Sequence, residues 1–210
     1  MELAQEEYND VMLDLETLGT RPGDAVISIG AVFFDRETKS TGIGFHAKLD
    51  IEQLLSAGAG VTAGTLGFWF GQEDAARKEF FGEDQINVAT VLMAFAEFLT
   101  AGEGGVNKGV KVWGNGASFD CVLLRETYAR FGMEPPWAWW NDRCFRTLKN
   151  EEVDKGKGME PEFDGVKHDA FADARHQAKW LINMYHNTRV FGPVDTDQLD
   201  MLDALEQESE

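Results

Sequence analysis

The chain has 210 residues, of which 43% are hydrophobic, and a formal net charge of −18. This length and composition suit one globular domain and exclude a disordered chain. No run of 18 apolar residues and no N-terminal apolar segment occurs, so neither a membrane span nor secretion is indicated. The acidity argues against a tight binder of duplex nucleic acid, although bound metal cations would invert the local sign at a carboxylate site.

We expect residues 1–190 to form a single domain and residues 191–210 to form an acidic tail or a short helix. That helix would use Leu199, Leu202 and Leu205. The two cysteines, Cys121 and Cys144, do not form a C-x-x-C pair. They are expected to be reduced thiols of a cytoplasmic protein, since stable disulfides belong to oxidising compartments.

Three strands are predicted at the start of the chain, over residues 10–15, 25–34 and 41–49, as an antiparallel meander. The second is almost wholly apolar, which is typical of a strand covered on both faces. Asp50 is placed to cap a short helix that runs to residue 55.

Helices then alternate with short strands. Apolar residues from position 87 follow the i, i+3, i+4, i+7 spacing of a helix. A strand is predicted at 110–113, a helix at 119–131, a mobile loop at 150–165 and a helix at 169–187. The pattern predicts a mixed α/β sheet flanked by helices.

Asp14 and Glu16 alternate with leucines on the first strand. Side chains two positions apart on a strand point to the same face, about 7 Å apart. A pair of carboxylates there suits a divalent cation, which prefers hard oxygen ligands. A strand with one solvated face is the alternative explanation.

Three further residues add to this pair. Asp120 follows a strand and opens a helix, where α/β sheets tend to place their sites, although an acid there also favours the helix dipole. Asp173 is expected on the flank of an apolar helix face, between the small residues Ala172 and Ala174. His168 precedes this helix, and a surface loop histidine is its alternative explanation.

Together these residues resemble the DEDDh group of 3′→5′ exonucleases, the RNase T-like or DnaQ-like proteins of the ribonuclease H fold. The resemblance rests on Asp14-x-Glu16, on the segment from Asn115 to Phe119-Asp120, and on His168-x-x-x-x-Asp173. Finer features resemble the branch of phage exonucleases and bacterial exoribonucleases of RNase AS type. These are residues 12–19, Trp69-x-x-Gln72 and Arg146-Thr147.

The resemblance implies a ribonuclease H-like mixed sheet and two Mg²⁺ or Mn²⁺ ions held by the four carboxylates, with His168 as general base. Trp69 and Gln72 are expected at the terminal nucleotide, with core packing as the alternative for the aromatic segment 68–70. The full set of expected substrate contacts is Leu15, Thr17, Leu18, Trp69, Gln72, Phe119 and Arg146.

The implied activity is metal-dependent hydrolysis of single-stranded RNA or DNA from the 3′ end to nucleoside 5′-monophosphates. A polymerase-associated proofreading subunit and a catalytically silent binding or decoy module remain as alternatives. A homodimer is expected from the resemblance, and the tryptophan-rich segment 137–140 is either its interface or part of the core. The cytoplasm is the expected location, that of the host if the protein is viral.

Overall fold

The computed structural model describes residues 8–81, 84–100, 107–151 and 159–188. In this part of the chain, six strands form one mixed sheet in the order β4-β3-β2-β1-β5-β6. The strands are β1 (Asp10–Thr17), β2 (Val26–Asp35), β3 (Ser40–Leu49), β4 (Gln85–Ile86), β5 (Lys111–Gly114) and β6 (Asp142–Cys144). The first three pair antiparallel, and the other neighbours pair parallel. This confirms the predicted fold class.

The described helices are α1 (Ile51–Ser56), α2 (Ala63–Phe70), α3 (Asp74–Phe81), α4 (Val88–Thr100), α5 (Asp120–Arg130), α6 (Phe145–Glu151) and α7 (Ala170–Thr188). A short 3-10 helix (Trp139–Asn141) precedes β6. The Asp50 side chain caps α1 by accepting from the Gln53 backbone N–H at 3.0 Å, as the sequence predicts.

The sheet has an apolar cluster on each face. One cluster unites β1, β2, α4 and α5, and its members include Leu13, Ile29 and Phe95. The other includes Met12, Phe34 and the small residues of α7. Because both faces are covered, β2 is buried along nearly its whole length, which explains its apolar sequence.

Two glycines let α7 lie directly on the sheet. A Cβ at Gly30 would lie 2.0 Å from the carbonyl carbon of Ala170, and one at Gly44 would lie 2.2 Å from the ring of Phe171. Side chains at these positions would therefore push the first turn of α7 away from β2 and β3. This close approach holds the start of α7 next to β1.

The structure departs from the predicted elements at β1 and at the segment 62–81, and it adds β4, β6 and α6, which the sequence did not predict. β1 extends to Thr17 instead of residue 15. The segment 62–81, in which no element was predicted, forms α2 and α3. Part of the predicted loop (152–158) and the whole acidic C-terminal segment lie outside the described residues. The domain boundary at residue 190 stays a prediction. No helix in the described ranges has the length and apolarity needed to cross a membrane.

Candidate active site

Asp14 and Glu16 lie on the face of β1 that α7 covers. Their neighbours Leu13 and Leu15 point to the opposite face, where both are buried in the α4–α5 cluster. Glu16 is 8% exposed and Asp14 is half-buried. The period-two alternation of the strand thus places two acids on one side of the sheet, as predicted.

Asp120 is the first residue of α5 and is 3% exposed. A Cβ at Gly114 would lie 2.6 Å from its Oδ2 atom, so the carboxylate packs against the end of β5. Since Gly114 pairs with Leu13 of β1, this brings Asp120 to the strand that carries Asp14.

His168 and Asp173 come together at the start of α7. The backbone N–H of His168 donates to Oδ2 of Asp173 at 2.8 Å. His168 has a φ of 65°, a left-handed conformation that is uncommon outside glycine and often marks a functional position. Glu16, His168 and Asp173 each offer a ligand atom within 4.8 Å of the others.

The four carboxyl groups share an unfavourable electrostatic environment. Burial raises the pKa of Asp14 well above its ordinary value, and the charges of Asp120 and Asp173 raise it further. Burial, followed by the charge of Asp14, likewise raises the pKa of Glu16.

The other two carboxyl groups behave in the same way. Burial raises the pKa of Asp120 to about 7, although backbone N–H groups and the Arg146 guanidinium oppose the shift. Burial also raises the pKa of Asp173, against the hydrogen bond from the His168 backbone. Among the described residues, no ion pair neutralises Asp14, Glu16 or Asp173. This set of oxygen donors fits divalent cations.

Gln177 is a residue of this site that the sequence did not reveal. Its side chain is 6% exposed, and its Nε2 donates to Oδ1 of Asp14 at 2.7 Å. Its Oε1 is buried without a hydrogen-bond partner in the described part of the chain. The available signal was its spacing, since Gln177 lies four residues after Asp173 on the same helix face.

Aromatic rings and a cleft surround His168. The ring centroid of Phe68 lies 5.0 Å from that of His168, edge to face, and that of Trp69 lies at 6.4 Å. A cleft of about 350 Å³ has Gln72, Lys167 and His168 among its lining residues. The imidazole is therefore held between α2 and the start of α7 and lines a cleft.

Trp69 is placed differently from the prediction that it meets the terminal nucleotide. It is 2% exposed, and its indole N–H donates to the carbonyl oxygen of Thr17 at 2.9 Å. With no open ring face, Trp69 holds the end of β1 to α2. Phe68, which is 43% exposed, presents the open ring beside it.

The other predicted substrate residues lie around the same edge of the sheet. Leu15 and Leu18 are buried in the core, at 6% and 2% exposure. Thr17 donates its hydroxyl to the carbonyl of Gly19 at 2.7 Å. Phe119 is half-buried next to Asp120, and Arg146 is exposed, with its guanidinium carbon 3.5 Å from a Cβ position at Gly116. Substrate contact by these residues stays a prediction.

A second polar cluster lies on the same sheet face, around Glu79 of α3. This side chain is buried, and its Oε2 lies 3.1 Å from Nε2 of His46. The ammonium of Lys48 lies 3.6 Å from its Oε1. No role was predicted for His46 from the sequence. Its partner Glu79 lies more than 30 residues away in the chain, so local sequence does not show the pair.

The protein neutralises Glu79 with its own side chains. Burial raises its pKa, but hydrogen bonds from His46 and Ser28, with the charge of Lys48, outweigh burial and lower it. The pKa of His46 is raised, chiefly by its hydrogen bond to Glu79. Ligand atoms of His46, Glu79 and Asp169 lie within 4.8 Å of one another. The Lys48 ammonium supplies a cation here already.

Comparison with known proteins identifies the family. Residues 9–185 match the 3′-5′ exoribonuclease Rv2179c-like domain. No curated protein matches the chain significantly.

Solved structures share the fold at low identity. The nuclease domain of 3′hExo, a DEDDh family member bound to rAMP, is 15% identical with a TM-score of 0.58, covering 88% of this chain and 95% of that one. Exonuclease X in complex with 5′ overhanging duplex DNA is 14% identical with a TM-score of 0.52, covering 85% and 92%.

Escherichia coli exonuclease I in complex with a dT13 oligonucleotide is 17% identical with a TM-score of 0.54, covering 82% of this chain and 40% of that one. The recognition of the DEDDh group from the sequence is confirmed, while the finer resemblance to the phage and RNase AS branch stays a prediction. The chain belongs to the 3′-5′ exoribonuclease Rv2179c-like domain family and is a 3′-5′ exonuclease domain.

Proposed function

We propose that this protein hydrolyses single-stranded nucleic acid from the 3′ end and releases nucleoside 5′-monophosphates. The observation that carries the proposal is the convergence of Asp14, Glu16, Asp120 and Asp173 with raised pKa values. A buried group of acids that the protein leaves without sufficient countercharge is costly unless it binds cations.

Two Mg²⁺ or Mn²⁺ ions are the proposed cofactors, held by these four carboxylates. When bound, such ions stabilise the negative charge that develops during phosphodiester cleavage and acidify a nearby water. The orphaned Oε1 of Gln177 beside Asp14 is consistent with a hydrated cation at this position.

His168 is the proposed general base. A neutral imidazole has a ring nitrogen with a free lone pair, so His168 can take the proton of the attacking water. Its placement supports this role, because the bond to Asp173 fixes the backbone and Phe68 packs against the ring. The side chain also lines the cleft through which substrate would enter.

Substrate is proposed to enter between α2 and the start of α7. Phe68 offers an exposed ring on which a base can stack, and Gln72 lines the cleft. Arg146, whose charge acts on Asp120, is the proposed partner of a substrate phosphate. The family match favours RNA, and DNA remains the second substrate to test.

The test uses 5′-labelled single-stranded RNA and DNA with Mg²⁺, Mn²⁺ or EDTA. We expect stepwise shortening from the 3′ end with either metal and none in EDTA. Absence of shortening in both metals would contradict the proposal and favour a silent binding module. Shortening confined to mismatched primer ends in the presence of a polymerase would instead assign the protein to proofreading.

A homodimer is part of the proposal. Trp137 is buried in the core, whereas Trp139 and Trp140 are 69% and 56% exposed beside the edge strand β6. These two rings are the proposed contact. Light scattering should therefore report about twice the chain mass of 23.4 kDa, and a particle of 23.4 kDa would exclude the dimer.

A further inference from the structure

Gln177 joins the two elements that carry the carboxylates on this face of the sheet. It lies on α7, one turn after Asp173, and donates its amide to Asp14 of β1. The bond spans 163 residues of sequence, so it is a tertiary link and does not belong to the folding of the helix itself. The amide therefore fixes Asp14 relative to the helix that presents Asp173.

A neutral amide is a better partner for a metal-binding carboxylate than a cationic or an apolar side chain would be. A lysine or arginine in this place would neutralise Asp14 and compete with a cation, as Lys48 does at Glu79. An apolar residue would leave the carboxylate without a hydrogen bond in a buried setting. A neutral donor orients one carboxylate oxygen and leaves the negative charge available.

The buried carbonyl oxygen of the same amide supplies a second, independent observation. Gln177 is 6% exposed, and its Oε1 has no partner among the described residues. Buried polar atoms without partners are uncommon and call for an explanation. A hydrated cation next to Asp14 would provide donors for this oxygen.

We infer that Gln177 is a positioning residue that presents the Asp14 carboxylate to a divalent cation. This role rests on the proposed function. Residues that orient metal ligands typically change metal affinity or activity by about 10–100-fold when they are replaced. Gln177 should therefore influence cation binding more than it influences folding.

The experiment titrates Mn²⁺ into the metal-free full chain by calorimetry and records the electron paramagnetic resonance spectrum of bound Mn²⁺. Gln177→Met keeps the length of the side chain and removes both polar atoms. Asn183→Leu is the matched control, because the Asn183 amide donates to the carbonyl of Met159 from the same helix, about 9 Å further along.

We expect Gln177→Met to weaken Mn²⁺ binding about 10-fold or more and Asn183→Leu to change it less than about 2-fold. Thermal denaturation in EDTA should show both variants folded. If Gln177→Met fails to fold, Gln177→Asn serves instead, because its shorter amide does not reach Asp14 and should cause the same loss.

Equal affinity in the unmodified chain and the Gln177 variant would overturn the inference while leaving the proposed function intact. An equal loss in Asn183→Leu would also overturn it, since the effect would then be a general one on α7. Absence of Mn²⁺ binding by the unmodified chain would overturn the metal centre and this inference together.

Discussion

Beside the sheet face covered by α7, the buried acid Glu79 of α3 and the acids Asp14 and Glu16 of β1 have opposite electrostatic environments. Over β2 and β3, Glu79 is paired with Lys48 and hydrogen-bonded to His46, and its pKa is lowered. On β1, Asp14 and Glu16 have raised pKa values, and in the described part of the chain neither has an ion-pair partner.

The two groups are neighbours in the sheet, since Glu16 pairs with Ser28, which in turn pairs with Lys48. Burial on its own acts to raise the pKa of Glu79 as well as that of Glu16, so burial does not explain why only the pKa of Glu79 is lowered overall. The difference lies in whether the chain supplies a cation. A buried acid that the chain neutralises serves structure, whereas a group of acids that it leaves without a countercharge is suited to an external cation.

The substitution Asp14→Asn should have the largest effect on activity, because it changes the acids that the chain leaves without a countercharge. We expect activity on single-stranded substrate to fall by about 10²–10³-fold or more, because a charged ligand is lost from the site of developing charge. Folding should persist, since the new amide oxygen still accepts from Gln177 and like-charge repulsion is removed. Nuclease assays and thermal denaturation in EDTA measure the two effects.

An unfolded Asp14→Asn variant whose melted fraction accounts for the lost activity would make the carboxylate structural. Full activity would show that Asp14 is not a ligand at all.

His168→Ala tests whether the histidine moves a proton or binds the cation. General base catalysis is typically worth about 10²–10⁴-fold, so the rate should fall by that range. Mn²⁺ affinity, measured by calorimetry, should change less than about 3-fold if proton transfer is the role. A large loss of affinity would make His168 a ligand, which its closeness to Glu16 and Asp173 also permits. A full rate would remove it from the mechanism.

Glu79→Gln should affect stability and leave the cation site largely intact. Removing one partner of a buried ion pair costs about 3–5 kcal/mol, because Lys48, which is 9% exposed, then lacks its buried countercharge. Asp84, which also pairs with Lys48, should keep the loss near the lower end. Urea denaturation measures the change. A variant as stable as the unmodified chain would show that the network contributes little.

The metal-free chain should lose stability as the pH rises from 5 to 8. A carboxyl group whose folded pKa is raised stabilises the fold below its unfolded pKa, near 4, and this contribution is lost as the pH rises through the folded value, about 7 for Asp120. His46, whose pKa is also raised, loses its contribution in the same direction. His46 is present in both the unmodified chain and Asp14→Asn, so its contribution cancels when the pH profiles of the two proteins are compared.

Thermal denaturation in EDTA should therefore show a larger fall in Tm for the unmodified chain than for Asp14→Asn, because the raised pKa of Asp14 contributes to the pH dependence only in the unmodified chain. Mg²⁺ should reduce the fall in the unmodified chain. Parallel pH profiles for the two proteins would contradict the raised pKa of Asp14.

Local periodicity was sufficient for much of the fold. The meander and α4 follow from alternation and from the helical spacing of apolar residues, and α7 begins within one residue of its predicted start. The sequence also predicted five site residues, because their types and spacing match a recognisable set of motifs, and their catalytic roles stay predictions. The role of Gly30 and Gly44 could not be predicted from local sequence. It becomes visible only when Ala170 and Phe171 of α7 pack against them.

What the sequence did not reveal depends on long-range contacts. The sequence predicts that Trp69 is exposed to substrate. Instead, its indole N–H donates to the carbonyl oxygen of Thr17, 52 residues away, and the ring is buried in the core. Glu79 and His46 form a pair that neither segment predicts alone. Gln177 resembles any polar residue of an amphipathic helix until α7 is placed on β1.

Mn²⁺ titration of three metal-stripped proteins distinguishes the two places for a cation: the unmodified chain, Asp14→Asn and Glu79→Gln, at a temperature at which all three are folded. We expect the unmodified chain to bind Mn²⁺, Asp14→Asn to bind it about 10-fold or more weakly, and Glu79→Gln to change the affinity less than about 3-fold. Unchanged affinity in Asp14→Asn would show that Asp14 does not hold the cation, and binding that disappears only in Glu79→Gln would place the cation over β2 and β3.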